Sequence, residues 1–318
     1  MSISLFRLSA RVSSGIQRVA RPSVETLENR DAPAASVFLN AGSIVGDNAA
    51  NAVTVSNLNA SNFRVTIDGV NYSFAKSQVF TGTVYFYGND GDDVLTNTAN
   101  LRVVAYGGAG NDTLTGGAKN DYLDGGAGID TLDGAAGDDA LYGGFGADNL
   151  LGQAGNDFLD AGSGADTLDG GAGNDLLYGG LGADYLFGKT RNDFLYGGGG
   201  GDNLDGGDGN DLLVAALDFN TNYLYGGAGN DTLHGGYGTD YLYGGAGNDF
   251  LDGNLGLDYL YGEAGNDYLN GGKDGNADYL SGGPGNDLFV AEYFWTSGLR
   301  NNRDRPADFQ SGDSIFNF

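Results

Sequence analysis

From Gly107 to Val290 the chain repeats a nine-residue unit, and no other feature constrains its fold as strongly. Gly226 to Asp252 reads GGAGNDTLH, GGYGTDYLY, GGAGNDFLD. Glycines at positions one, two and four open backbone angles closed to residues with a Cβ, so the first six residues can turn tightly and turn carbonyls outward. Asp at position six ends the turn. Positions seven to nine form a very short strand whose central residue points one way and its neighbours the other.

The central residue is Leu in nearly every unit, from Leu114, Leu123 and Leu132 through to Leu260, Leu269 and Leu280. One apolar side chain per nine residues is too sparse for an ordinary core, so each strand must stack on copies of itself to bury its Leu. The fold that follows is all-β, a parallel β-roll or β-solenoid. The period is doubled to eighteen. Units beginning at Gly152, Gly170, Gly206, Gly226, Gly244, Gly262 and Gly282 carry Asn-Asp at positions five and six, whereas the intervening ones carry Ile129, Ala147, Ala165, Ala183, Gly201, Thr239 or Leu257 before their Asp. With two units per turn, the two edges of the roll differ chemically.

These units resemble the GGxGxDxUx nonapeptide of the RTX (repeats-in-toxin) calcium-binding proteins, over about three fifths of the chain. The resemblance implies a right-handed roll with calcium held between loops stacked on the same edge. It implies metal ligation at Asp93, Asp112, Asp130, Asp139, Asp148, Asp157, Asp166, Asp175, Asp184, Asp202, Asp211, Asp231, Asp240, Asp249, Asp258, Asp267 and Asp287. Asp157 is expected to pair with Asp175, Asp231 with Asp249, Asp148 with Asp166 and Asp240 with Asp258. The chemistry suits that ion: a hard dication takes six to eight oxygens, which glycine-loop carbonyls and carboxylates eighteen residues apart supply. Softer metals are disfavoured by the absence of Cys and the single His234.

The 318 residues carry 42 acidic against 15 basic side chains, a formal net charge of −27 that opposes nucleic acid as a partner and suits a cation binder. Without Cys, bound metal rather than disulfides must staple a secreted fold. Self-repulsion and the entropy of 60 glycines predict that folding and calcium binding are one event.

Four segments are expected. Residues 1–35 form a basic leader without a secretory h-region, and no transmembrane span is expected anywhere in the chain. Within it, Arg21 to Ala34 resembles the RxxxExLExRxxPA motif at the start of large secreted bacterial surface proteins. Residues 36–106 read as a β segment capping the roll, with a hairpin turn at Asp68-Gly69 and degenerate units at Gly46 to Thr54 and Gly88 to Thr96. Residues 107–290 are the roll. Residues 291–318 form a C-terminal cap, in which Ala307 to Ile315 is similar to the DFxxGxDxI segment that closes RTX rolls. The chain is therefore expected to be secreted and extracellular, or held at a bacterial cell surface.

Some units depart from the pattern. Lys119 and Arg191 stand where position four is Gly, which casts doubt on the sites beside them. Ala215 to Tyr225 and Gly271 to Ser281 are each two residues too long, and Asn222 replaces an Asp, so the first is expected to interrupt one calcium row. Tyr223, Tyr225, Tyr241, Tyr243, Tyr259, Tyr261 and Tyr279 fall two or about eighteen residues apart, in two columns on one face. They read either as stacking that stabilises the strands or as a surface for glycan or an apolar partner.

Two functions stay open: a structural, adhesive or glycan-binding module without enzymatic activity, and a polysaccharide-modifying enzyme or a non-catalytic fragment of a larger RTX enzyme. HExxH and GxSxG are absent from the sequence, and Asp252 and Tyr261 are the strand-face groups that a cleaving site would use.

Overall fold

In the computed structural model, the structure describes residues 38–317 apart from short stretches at 41–42, 47–48, 61, 69, 76–81, 217, 292, 297–298, 303–304 and 307–313. The basic leader with Arg21 to Ala34, and most of Ala307 to Ile315, lie outside the described residues.

The chain winds between two 15-stranded sheets, laying one strand in each per turn. We call them sheet A, which contains Tyr122–Ala127 and Ala140–Phe145, and sheet B, which contains Thr131–Ala135 and Asn149–Ala154. Every neighbour within the roll pairs in parallel at a shift of one turn: Leu123 lies opposite Leu141, and Leu132 opposite Leu150. Most strands of the roll run through positions seven, eight, nine, one, two and three of the repeat. Their burial alternates accordingly, with position eight and the position-one glycine inside.

The core is a double file of leucines. Leu114 to Leu280 are fully excluded from solvent at position eight of every unit, and the two files face each other between the sheets. Fully burying one Leu stabilises by about 1.5–3 kcal/mol. No single turn holds more than two of them, so stability must accumulate along the stack. Before Val94 the leucine file passes into Val53, Val55, Val84, Phe86 and Ile44.

Hairpins close the N-terminal end of both sheets. Phe38–Asn40 pairs antiparallel with Ser43–Val45, and Asn62–Ile67 pairs antiparallel with Ala52–Asn57 and with Val70–Ala75. Asp68, at φ 47°, sits in the turn where the Asp-Gly dipeptide predicts one. At the other end, Ser314–Asn317 adds in parallel to Leu288–Ala291, and a hairpin of Tyr293–Thr296 with Leu299–Asn302 carries Trp295. Among the described residues no helix is long and apolar enough to cross a membrane.

Candidate metal columns on the two edges

Each hexapeptide turns the chain from one sheet to the other, so the loops stack in two edges. Edge A follows the strands of sheet A and carries the loops 125–130, 143–148 and 161–166. Edge B follows sheet B and carries 134–139, 152–157 and 170–175.

The position-six carboxylates form one column per edge. On edge A, the backbone N–H of Asp130 donates to Oδ1 of Asp148, and that of Asp148 to Oδ1 of Asp166. On edge B, Asp157 donates to Asp175 at 2.8 Å and Asp231 to Asp249 at 2.8 Å. The edge A column also joins Asp240 to Asp258. The pairs expected one turn apart are thus brought together. The column starts earlier than the regular repeats, because Asn51, at position six of the degenerate unit from Gly46, donates its N–H to Asp93.

The second oxygen of these carboxylates is the chemically open one. Oδ2 of Asp112, Asp130, Asp148, Asp157, Asp175, Asp249 and their equivalents is buried and accepts no hydrogen bond. A buried anionic oxygen without a donor is costly. Burial consequently lifts the Asp139 carboxyl to about 8, with Asp121 and Asp157 adding repulsion, and lifts Asp258 to about 8. Asp130 and Asp249 are raised to about 7, again by burial first and by the carboxylates above and below second.

The position-one glycine explains what lies beside each orphan oxygen. Its φ is not left-handed, so its need for Gly is spatial. A Cβ on Gly152 would stand 2.6 Å from Asp157 Oδ2 and 2.6 Å from the carbonyl of Gly170, one turn on. The same two oxygens converge at Gly143, from Asp148 and Ala161, and at Gly244, from Asp249 and Gly262. Carboxylate and carbonyl oxygens of successive turns therefore share one small space beside a backbone without a side chain. Positions two and four favour Gly for a different reason, namely positive φ, as at Gly171 (97°) and Gly173 (158°), although Gln153, Glu263 and Arg191 also adopt it.

Among the described residues no three carboxylate, imidazole or thiolate groups converge. The donor set is thus one or two carboxylates per interval completed by carbonyls, which fits a hard, oxygen-seeking cation and excludes a Cys/His zinc site. The carboxylates that could hold such an ion are the buried position-six column members, Asp93 to Asp287.

Three carboxylates outside the expected ligand set, Asp121, Asp193 and Asp278, belong to the columns. Asp121 and Asp193, beside Lys119 and Arg191, are as buried as the rest, accept from the N–H of Val103 and of Asp175, and keep an orphan Oδ2. Arg191 adopts φ 80° and both cationic side chains are exposed, so neither reaches the carboxylate. Asp278, in the second long loop, also joins the column and accepts from Asp258 at 2.9 Å. Asn222 holds an Asp place: it accepts from the N–H of Asp202 and gives its own side-chain N–H to Asp240 Oδ1 at 2.9 Å. An NH2 group therefore occupies that interval, where ligation needs an oxygen.

The edges differ as the alternating units predict. On edge B, position five forms an asparagine ladder in which Asn174 donates its backbone N–H to Asn156 Oδ1, and Asn248 to Asn230. Side-chain N–H groups reinforce it, as from Asn266 to Asn248 at 3.0 Å. Edge A has no such ladder beyond Asn111, and carries Ile129, Ala147, Ala165, Ala183, Gly201, Thr239 and Leu257 there instead.

The tyrosine columns lie on the outer face of sheet B. Tyr223, Tyr241 and Tyr259 stack with centroids 4.9 and 4.7 Å apart, and Tyr225, Tyr243 and Tyr261 stack at 4.9 Å, all within 9° of parallel. Tyr279 closes both columns with a tilted ring. A second aromatic run went unread in the sequence. On sheet A, Tyr106, Tyr122, Tyr142, Phe158, Tyr178 and Phe194 pack in a zigzag with centroids 5.2–5.9 Å apart.

A parallel β-solenoid of glycine-rich nonapeptides, with a file of buried carboxylates along each edge, defines a class of cation-dependent repeat proteins. The profile of the RTX calcium-binding nonapeptide repeat matches residues 106–141, 142–177, 178–213, 218–251, 243–276 and 252–289. The chain belongs to this family, whose repeats bind calcium and form the β-roll seen here. No curated protein matches the chain.

Proposed function

We propose that the chain is a calcium-dependent structural module of a secreted or surface-held protein. Calcium ions bind between successive position-six carboxylates, Asp157 with Asp175 and Asp148 with Asp166 among them, and fold the roll as they bind. The single observation that carries this reading is the file of buried Oδ2 atoms without donors, each sharing its space with a carbonyl of the next turn. A stack of such carboxylates repels itself unless a dication sits between them. Residues 107–290 are the working part, 36–106 and 291–318 cap it, and 1–35 form a leader.

The stacked tyrosines on sheet B give this module an adhesive or glycan-binding face. Flat aromatic rings in register offer apolar area at low entropic cost. The role is binding, and retention of glycan without turnover separates it from a polysaccharide-modifying enzyme.

The test is a calcium titration of chelator-stripped protein followed by far-UV circular dichroism, with magnesium as control. A cooperative gain of β signal with calcium alone is expected. A chain already folded in chelator at pH 8 would withdraw the calcium reading.

A further inference from the structure

The roll presents an apolar ridge on edge A that has no counterpart on edge B. At loop positions three and five, edge A carries Ile129, Phe145, Leu181, Phe219, Leu255 and Leu257, each between 41 and 88% exposed. Edge B carries the asparagine ladder and mostly alanine at the same positions. Between Gly125 and Asp258 the edge A loops contain one charged residue besides the buried carboxylate column. This is Asp218, and its carboxylate already accepts from the N–H groups of Gly200 and Asn220. On a chain with net charge −27, eight successive loops thus carry a single charged side chain, Asp218, outside the buried column. At about 4.8 Å per turn the stripe is roughly 34 Å long.

Phe219 meets the ring of Tyr237, in the next edge A loop, at 5.8 Å between centroids, but the leucine files and the sheet pairing are complete without the exposed Phe and Leu of the loop tips. Contiguous exposed apolar surface marks an interaction site. Three features select the occupant. The ridge is convex and one loop wide, so it offers well under the about 800 Å2 per partner of a standard protein interface. A second copy would also bring another −27 charge alongside. The apolar tips are irregular, because Ser163 and Gly199 interrupt the row on either side of Leu181, so the ridge has no constant repeat to match an ordered polymer. A fluid apolar phase accepts an irregular ridge, and a stripe whose one outer carboxylate, Asp218, is held by backbone N–H groups brings little charge to it.

We infer that edge A is a docking ridge for the surface of a neutral, zwitterionic lipid bilayer, into which Phe145, Leu181, Phe219 and their neighbours insert. The inference goes beyond calcium binding but rests on it, because the loops that carry these side chains are ordered by the carboxylate column beneath them.

The experiment is flotation of the full chain with phosphatidylcholine vesicles, in calcium and in chelator, with circular dichroism recorded on the same samples. The calcium-loaded, folded chain should float with the vesicles. The combined variant F145S, L181S and F219S should lower partition at least about tenfold while its circular dichroism is unchanged. Ser163→Phe, which fills a gap in the row, should raise it. Calcium-loaded protein that is folded but stays off the vesicles would overturn the proposal. So would partition that ignores all of these substitutions, or dimers or retention on an insoluble polysaccharide that are lost with the same three side chains while vesicle binding is not seen. A chain that shows no calcium-induced fold would instead defeat the calcium reading, and the dichroism records that separately. Should the triple variant not fold, Ser163→Phe and the single substitutions decide.

Discussion

The N–H of Asp157 donates to Oδ1 of Asp175 at 2.8 Å, one turn ahead, and leaves the other oxygen of Asp175 buried without a donor. One carboxylate thus does two separable things. Its first oxygen sets the register of the stack, and its second faces the space shared with the next turn.

Substitution separates these roles. Asp175→Asn retains an acceptor for the Asp157 N–H but removes the charge, as Asn222 does naturally beside Asp240. It should lower calcium stoichiometry in isothermal titration while the roll still folds at a higher calcium midpoint. Asp175→Ala also strands the amide of Asp157, a further cost of about 1–3 kcal/mol, and its midpoint should lie higher still.

In chelator, stability should fall as pH rises. The column carboxyls have folded pKa values above the ordinary 3.8, from about 6 at Asp175 to about 8 at Asp139 and Asp258, so the folded chain binds more protons than the unfolded one between those limits. That contribution is fully present below about pH 4 and is lost through pH 6 to 8. Calcium should reverse the trend, because it competes with the same protons, and its midpoint should rise as pH is lowered. Far-UV circular dichroism at pH 5 and pH 8, in chelator and across a calcium titration, tests both signs: β signal in chelator should be greater at pH 5, and the calcium midpoint lower at pH 8.

Gly152→Ala should be disproportionately costly for so small a change. Its Cβ would enter the space shared by Asp157 Oδ2 and the Gly170 carbonyl. Calcium affinity should fall several-fold, whereas alanine at Ser163, half-buried at loop position three and away from the carboxylate column, should leave it unchanged. Direct titration of both variants distinguishes a crowded cation space from a general loss of stability.

Leu242→Ala in the buried file should cost about 2–5 kcal/mol. Because each turn contacts only its neighbours, hydrogen exchange should quicken over the adjacent turns and leave Leu123 to Leu141 protected. Calcium stoichiometry measured at saturation should not change.

Tyr243→Ala removes a ring stacked on Tyr225 and Tyr261 at 4.9 Å on either side. Stacking alone predicts a loss of about 0.5–1.5 kcal/mol per pair, read as a lower melting temperature in calcium. A glycan-binding face predicts in addition weaker retention on the bound polysaccharide.

What the sequence made legible follows from what the repeat repeats. Leu at position eight and Asp at position six recur with the backbone path itself, so the sheets, the leucine files and the carboxylate columns could be read from spacing. Asp121 and Asp193 are harder to read, because Lys119 and Arg191 break the glycine pattern beside them. The structure keeps them because Arg191 takes a positive φ and both cations point to solvent. The aromatic run on sheet A was hidden by geometry. Its rings alternate between positions seven and nine, giving spacings of 16 and 20 residues from Tyr106 to Tyr122 to Tyr142 rather than a fixed eighteen. The apolar ridge was visible residue by residue at Ile129 and Leu257, but only the stacking of edge A loops joins those positions to Phe145 and Leu181.

The loops 215–222 and 271–278 each hold eight residues where the repeat has six, and both lie on edge A. Even so, the hydrogen bonds that cross them, Asp202 to Asn222 and Asp258 to Asp278, keep the 2.9 Å length found elsewhere. The roll therefore keeps count by the side-chain oxygen at the end of each loop, carboxylate or carboxamide, and not by residues. Edge A can absorb extra chain without slipping a turn, and these two loops are natural ports for grafting a foreign peptide onto a rigid rod.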